Sequence, residues 1–123
     1  MQSHFTNLKN AQFINLTTFR KSGAGVSTAV WFAQDNNRLV MTTNASAGKV
    51  KRIRNNAKVE LAPCDMRGKC LGDTLQAQAK ILQGDEARAA EKLLKKKYGL
   101  QWSLFSMANR NDNRVYIELT PPK

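Results

Sequence analysis

Residues 39–63 read LVMTTNASAGKVKRIRNNAKVELAP, and three patterns succeed one another within them. Leu39 to Thr43 is a run of strand formers. A turn around Asn44 and Ala45 follows. Residues 46–56 have helical spacing, with Ser46 as a candidate N-cap, Val50 and Ile53 on one face, and Asn55-Asn56 as the stop. Residues 59–64 return to strand chemistry, with Pro63 placing the strand's end near an edge or bulge. The helix carries Lys49, Lys51, Arg52 and Arg54, four cations in six residues. A helix start presents unpaired N–H groups and a positive dipole end, which suits a phosphate dianion. Thr42 and Thr43 add neutral donors, and Lys49 and Arg52, three apart, point to one side. A solvated basic helix face is the competing reading of the same residues.

Outward from this segment the chain alternates between short strands and turns. Residues 13–20 (FINLTTFR) form a strand, and Lys21-Ser22-Gly23-Ala24-Gly25 supplies the turn after it. Residues 26–33 are predicted to be one strand with two largely apolar rows, covered on each side. Asp35-Asn36-Asn37 is hairpin chemistry. In residues 74–82, Leu75, Ala77, Ala79 and Ile81 face one way and polar residues the other, which gives a strand with one wet side. Val115, Ile117 and Leu119 alternate in the last strand, ended by Pro121-Pro122. A second helix is predicted over residues 85–98, with Asp85 and Glu86 at its positive end and Gly99 as its stop. Ala87, Ala90, Leu94 and Tyr98 make its buried stripe, while Lys95, Lys96 and Lys97 read as a solvated end. Six short strands with two helices outside predict a mainly β fold, a small six-stranded antiparallel barrel in one domain spanning residues 1–123.

Composition narrows the chemistry. Twenty Lys and Arg against nine Asp and Glu give a net charge of +11. The 41% hydrophobic content, spread in periodic runs, argues for a folded domain. His4 is the only histidine, so a Ser–His–Asp or Cys–His site would have to be built on a polar chain end. One histidine and two cysteines do not close a four-ligand zinc site without carboxylates. Cys64 and Cys70 lack CxxC spacing and read as free thiols in a reducing compartment. No apolar run approaches the ~20 residues of a membrane span and no signal peptide opens the sequence, so the expected location is cytoplasmic, with no membrane partner.

The segment at 39–63 also resembles the central part of the pyridoxamine 5′-phosphate oxidase-like split-barrel flavoproteins, in particular their short flavin- and deazaflavin-dependent oxidoreductase branch. The upstream LTTFRKSGAGVSTAVWFA is similar to the first hairpin of these proteins and NRVYIELTP to their closing strand. The resemblance covers most of residues 8–121. It implies an FMN-binding split barrel that works as an oxidoreductase, with cofactor sites at a homodimer interface and hydride transfer to or from a small-molecule substrate. FMN is the implied cofactor, with the deazaflavin coenzyme F420 as the alternative, since both carry a tricyclic ring and a phosphate.

By that resemblance Lys49 matches the phosphate-binding lysine, and Thr42 and Thr43 match strand-end residues that meet the cofactor. Thr28, Ala29 and Val30 match the strand on which the ring rests, largely through backbone contacts. Arg52 is added from its spacing to Lys49. Ala47 stands where the family often has an arginine, so phosphate binding leans on Lys49, Arg52 or a basic residue elsewhere. Trp31 reads as core more readily than as a stacking partner of a ring, and Trp102 and Phe105 as packing residues. Two further readings stand beside the enzyme: a binder that holds the cofactor without turnover, and a basic module for nucleic acid. The latter lacks any RNP-type or helix-turn-helix signature.

Overall fold

The computed structural model describes residues 13–35, 37–44, 47–65, 69, 72–99 and 114–122. His4, Ser46, Cys70, Trp102 and Phe105 lie outside them. Seven strands and two helices follow in the order β1 (Phe13–Phe19), β2 (Gly25–Trp31), β3 (Ala33–Asp35), β4 (Arg38–Asn44), α1 (Gly48–Asn55), β5 (Lys58–Cys64), β6 (Leu75–Leu82), α2 (Asp85–Tyr98) and β7 (Arg114–Thr120).

All seven strands belong to one antiparallel sheet in the order β2-β1-β5-β6-β7-β4-β3. Its two edge strands are joined by the single residue Phe32. A flat seven-stranded sheet would hold its edges about 29 Å apart, at roughly 4.8 Å per strand. One linking residue spans at most ~7 Å from Trp31 to Ala33. The sheet therefore curls until its edges meet, which makes it a split barrel.

The expected second strand, residues 26–33, is thus two strands, and the count among the described residues is seven instead of six. The cause is visible in the backbone of Phe32. Its N–H donates to the Tyr98 hydroxyl at 2.9 Å, and its carbonyl accepts from that hydroxyl and from Lys97 Nζ, each at 2.7 Å. Both polar groups of Phe32 are bonded to the end of α2 instead of a neighbouring strand, and the strand bends there. The Phe32 side chain fills the barrel interior. Burial pushes the Tyr98 phenol up to about 12, so the hydroxyl keeps the proton it donates.

Lys97 is exposed, as expected, but it is also tied to this bend, with its ammonium 3.7 Å from the centre of the Phe32 ring. Lys95, by contrast, reaches Glu91 at the surface. The stripe on α2 is as predicted, with Ala90, Leu94 and Tyr98 buried, and Gly99 takes the positive φ of +51° after the last turn.

Two apolar layers result. Inside the barrel lie Ile14, Leu16, Leu39, Met41, Leu61, Ile117 and Leu119, with Ile53 of α1 closing one end. Outside, α2 packs on Val40, Leu82 and Ala33 through Ala90, Leu94 and Tyr98. β4 is consequently covered on both faces from Leu39 to Met41. β2 is not. Ser27 and Ala29 are exposed and only Trp31 finds cover in its outer row, stacked on Tyr98 at 4.4 Å between ring centres. Pro63 fits because β6 pairs with β5 only as far as Leu61. Each fully buried Leu or Ile contributes about 1.5–3 kcal/mol.

The Phe32–Tyr98 pair yields a test. Tyr98→Phe leaves the Phe32 N–H without its acceptor and is expected to cost about 1–3 kcal/mol, read as a lower urea midpoint at unchanged slope. An unchanged midpoint contradicts the role given to this hydroxyl.

Candidate functional site

The split in the barrel is built by register. β3 pairs with β4 through Ala33↔Val40 and Gln34↔Leu39. Continued in that register, Trp31 would face Thr42 and Val30 would face Thr43, but the ladder stops where Phe32 turns to α2. β2 and β4 remain neighbours without pairing. Thr28, Ala29 and Val30 stand on one lip of the split, Thr42 and Thr43 on the other. β2 is a sheet edge, so alternate residues direct backbone N–H and C=O groups away from β1. Val30 points its side chain into the core, and Ala29 is exposed. The Thr42 hydroxyl donates to the Val115 carbonyl at 3.1 Å, which ties it to β7 and leaves its oxygen able to accept. Thr43 is half-buried.

α1 begins just beyond the β4 lip. It starts at Gly48, with Ala47 in extended conformation at the N-cap and no side-chain cap bond. Its first-turn N–H groups are therefore left without a side-chain acceptor of its own. Asn56 ends it by bonding its N–H to the Arg52 carbonyl and accepting from the Lys58 N–H. Val50 and Ile53 anchor the helix as predicted, and the opposite side carries the cations.

Lys49 and Arg52 are brought close enough for their charges to interact. Partial burial and the neighbouring Arg52 charge hold the Lys49 ammonium below the usual lysine range. No carboxylate among the described residues forms an ion pair with either. Arg52 is itself fixed: its Nε donates to the Thr18 hydroxyl at 2.6 Å, and Thr18 is only 1% exposed. This links α1 to β1 opposite Val26 of β2. The guanidinium also lies over Gly48, where an added Cβ would sit 2.7 Å from Nη1.

The sequence reading missed Thr18 and Gly48. The signal for Thr18 was present, since it follows Ile14 and Leu16 in the inward row of β1 and a polar group there needs a partner. Gly48 carries no pattern of its own, because its role depends on where Arg52 folds.

Two hollows lie elsewhere. A groove of about 640 Å³ is lined by Phe19, Asn56, Lys58, Gln76 and Gln78 among others. A second of about 480 Å³ lies between β3 and the end of α2. Neither is lined by any of the seven predicted site residues. Among the described residues no group of three or more His, Cys, Asp and Glu could hold a metal ion, and no helix is long and apolar enough to cross a membrane.

The sequence model of the pyridoxamine 5′-phosphate oxidase family matches residues 2–123. The chain belongs to this family. No curated protein sequence matches it. Among solved structures, this family member is similar to the heme storage protein HutZ from Vibrio cholerae, at 12% identity and a TM-score of 0.71 over 94% of this chain and 84% of that one. It is similar to an F420 reductase at 19% identity and a TM-score of 0.62, covering 100% of this chain and 96% of that one. A heme binding protein from Mycobacterium smegmatis matches at 14% identity and a TM-score of 0.69, over 95% of this chain and 48% of that one. At such identities the likeness is one of fold.

The two cations separate cleanly by experiment. Arg52→Ala strips the buried Thr18 hydroxyl of its donor and is expected to cost about 1–3 kcal/mol. Lys49→Gln removes a charge held beside another of the same sign, and the ligand-free protein is expected to lose no stability. Folded Lys49 binds its proton less tightly than the unfolded chain does, so this group's contribution to stability rises with pH toward 10.5. Urea midpoints of wild type and Lys49→Gln between neutral pH and about pH 10 are expected to differ by that slope.

Proposed function

We propose that the protein is a flavin- or deazaflavin-dependent oxidoreductase whose cofactor lies along the β2–β4 split, between two copies of the chain. The observation that carries this reading is the half-buried Lys49 beside Arg52 at the start of α1, two cations that no carboxylate among the described residues neutralises. Such a pair is costly in the empty protein and favourable once a phosphate is present. The residues fit the group. Lys49 and Arg52 would hold the phosphate, with the first-turn N–H groups of α1 as further donors. The outer backbone edge of β2 at Thr28–Val30 would hydrogen-bond the polar rim of the ring. Thr42 and Thr43 would border it from the other lip.

The bound ring would supply the hydride chemistry, and the protein's part is position, charge and shielding. Lys49 as a cation would offset the phosphate charge. Strand backbone holds the ring plane without needing a particular side chain, which accounts for the absence of an acid–base pair among the seven residues. The exposed row of Ser27 and Ala29 suits a second copy as the cover that excludes water, and a symmetric pair would carry two equivalent clefts.

FMN and F420 are distinguished by anaerobic titration, following the absorbance of the bound ring. Lys49→Ala is expected to weaken whichever cofactor binds by about 10- to 100-fold, the worth of a charge-assisted hydrogen bond. Riboflavin, which lacks the phosphate, is expected to be insensitive to the same substitution. Hemin belongs in the same series, because two structures of similar fold are heme proteins. Tight hemin binding without binding of either ring cofactor would replace the oxidoreductase reading with that of a tetrapyrrole carrier.

A further inference from the structure

We propose that the groove of about 640 Å³ beside the β1–β2 turn binds single-stranded nucleic acid, with a base inside it and phosphates along a cationic rim. This site is separate from the cofactor cleft, since none of the seven cleft residues lines it. Phe19, the last residue of β1, forms one wall, and β5 and β6 run beside it with Lys58 paired to Gln78 and Glu60 to Gln76. The Phe19 ring lies against Gly25, where an added Cβ would be 3.4 Å from Cε1, so the bare backbone there lets the ring settle onto β2. The ring is half-buried and keeps part of its surface open. An aromatic ring seated in this way is a stacking platform for any base. The Asn56 side-chain carbonyl accepts from the Lys58 N–H at 3.1 Å, which leaves its amide N–H groups as the donors it offers the groove. Gln78 adds a second amide, and such groups pair with exposed base edges. Glu60 is the one carboxylate among the described residues on the groove wall. It accepts from base N–H donors and confines the phosphates to the rim.

The rim is cationic and unneutralised. Gly23 lines the groove from the β1–β2 turn, which also carries the exposed Arg20 and Lys21. The turn is closed by bonds from the Arg20 N–H to the Ala24 carbonyl at 2.9 Å and from the Gly23 N–H to the Arg20 carbonyl at 2.8 Å. From α1 comes the exposed Arg54, two residues before Asn56, and Lys58 is itself exposed. None of these four cations forms an ion pair among the described residues, whereas Arg38, Lys80, Arg88 and Lys95 all do. Phosphates arriving at such a rim release the counterions held there. The groove between β3 and α2 lacks this pairing of ring and cation. Its one aromatic residue, Phe32, is fully buried and already carries the Lys97 ammonium on its face.

Fluorescence anisotropy of a short labelled oligouridylate, titrated with the full chain over a range of salt concentrations, tests this directly. Phe19→Leu keeps the apolar bulk and removes the ring. It is expected to weaken oligouridylate about 5- to 100-fold, the worth of one stacked base, and to leave heparin, a polyanion without bases, bound as before. Lys58→Gln and Arg54→Gln are each expected to flatten the dependence of log K on log salt by about 0.7. Lys92→Gln, an exposed cation of α2, is expected to leave that slope unchanged. Undiminished oligouridylate binding by Phe19→Leu, or an equal loss for heparin, would overturn the stacking site. A slope altered as much by Lys92→Gln as by Lys58→Gln would overturn the rim and reduce the attraction to net charge.

Discussion

The backbone of Phe32 fixes the shape of this molecule. An edge strand of a sheet ordinarily spends its inner N–H and C=O groups on one neighbour, and a strand that changes neighbours leaves one residue with neither. Here that residue is Phe32, and the Tyr98 hydroxyl supplies both a donor and an acceptor to it, with Lys97 adding a second donor. A buried amide without such partners would cost about as much as losing a large core side chain. The helix end is thus the condition for the bend. The bend lets the first hairpin and the β3–β4 hairpin share one curled sheet, and it opens the split between β2 and β4.

The same joint connects the two apolar layers. Phe32 points into the barrel, and its backbone is held by the helix packed outside, so α2 and the interior are coupled through a single peptide unit. At the other end of the barrel, Arg52 makes a comparable link between α1 and Thr18. These two side-chain-to-strand contacts frame the lips along which the proposed cofactor site runs. Ionic contacts are distributed unevenly around this frame. The pairs of Arg38, Lys80, Arg88 and Lys95 all lie on the α2 and β3–β4 side. The side built from α1 keeps its positive charge uncompensated by carboxylates among the described residues.

Most of the architecture was legible in the residue pattern, because alternation and helical spacing report which face meets the core. β6, α2 and β7 follow their apolar periods closely, and the family resemblance in residues 39–63 was confirmed. The break at Phe32 was not legible, since an apolar run has the same appearance whether it pairs with one neighbour or changes to another. Lys97 was legible only in part. Its place in a Lys95–Lys97 run suggests solvent, and it is exposed, but its contact with Phe32 depends on the tertiary position of the ring beneath it. Of the candidate site, Lys49 and Arg52 could be paired from their spacing. The tie from Arg52 to Thr18 required the fold to bring α1 onto β1.

The exposed margin of β2 has a consequence for how the protein behaves in bulk. Seven residues of extended backbone, free of proline, make a template on which a foreign strand can lengthen the sheet. What discourages such growth is electrostatic, because molecules bearing +11 repel one another and Arg20 and Lys21 sit at the turn that begins this margin. That defence reaches about 10 Å in 0.1 M salt and only about 3 Å in 1 M salt. Concentrated salt strips this protein of its guard.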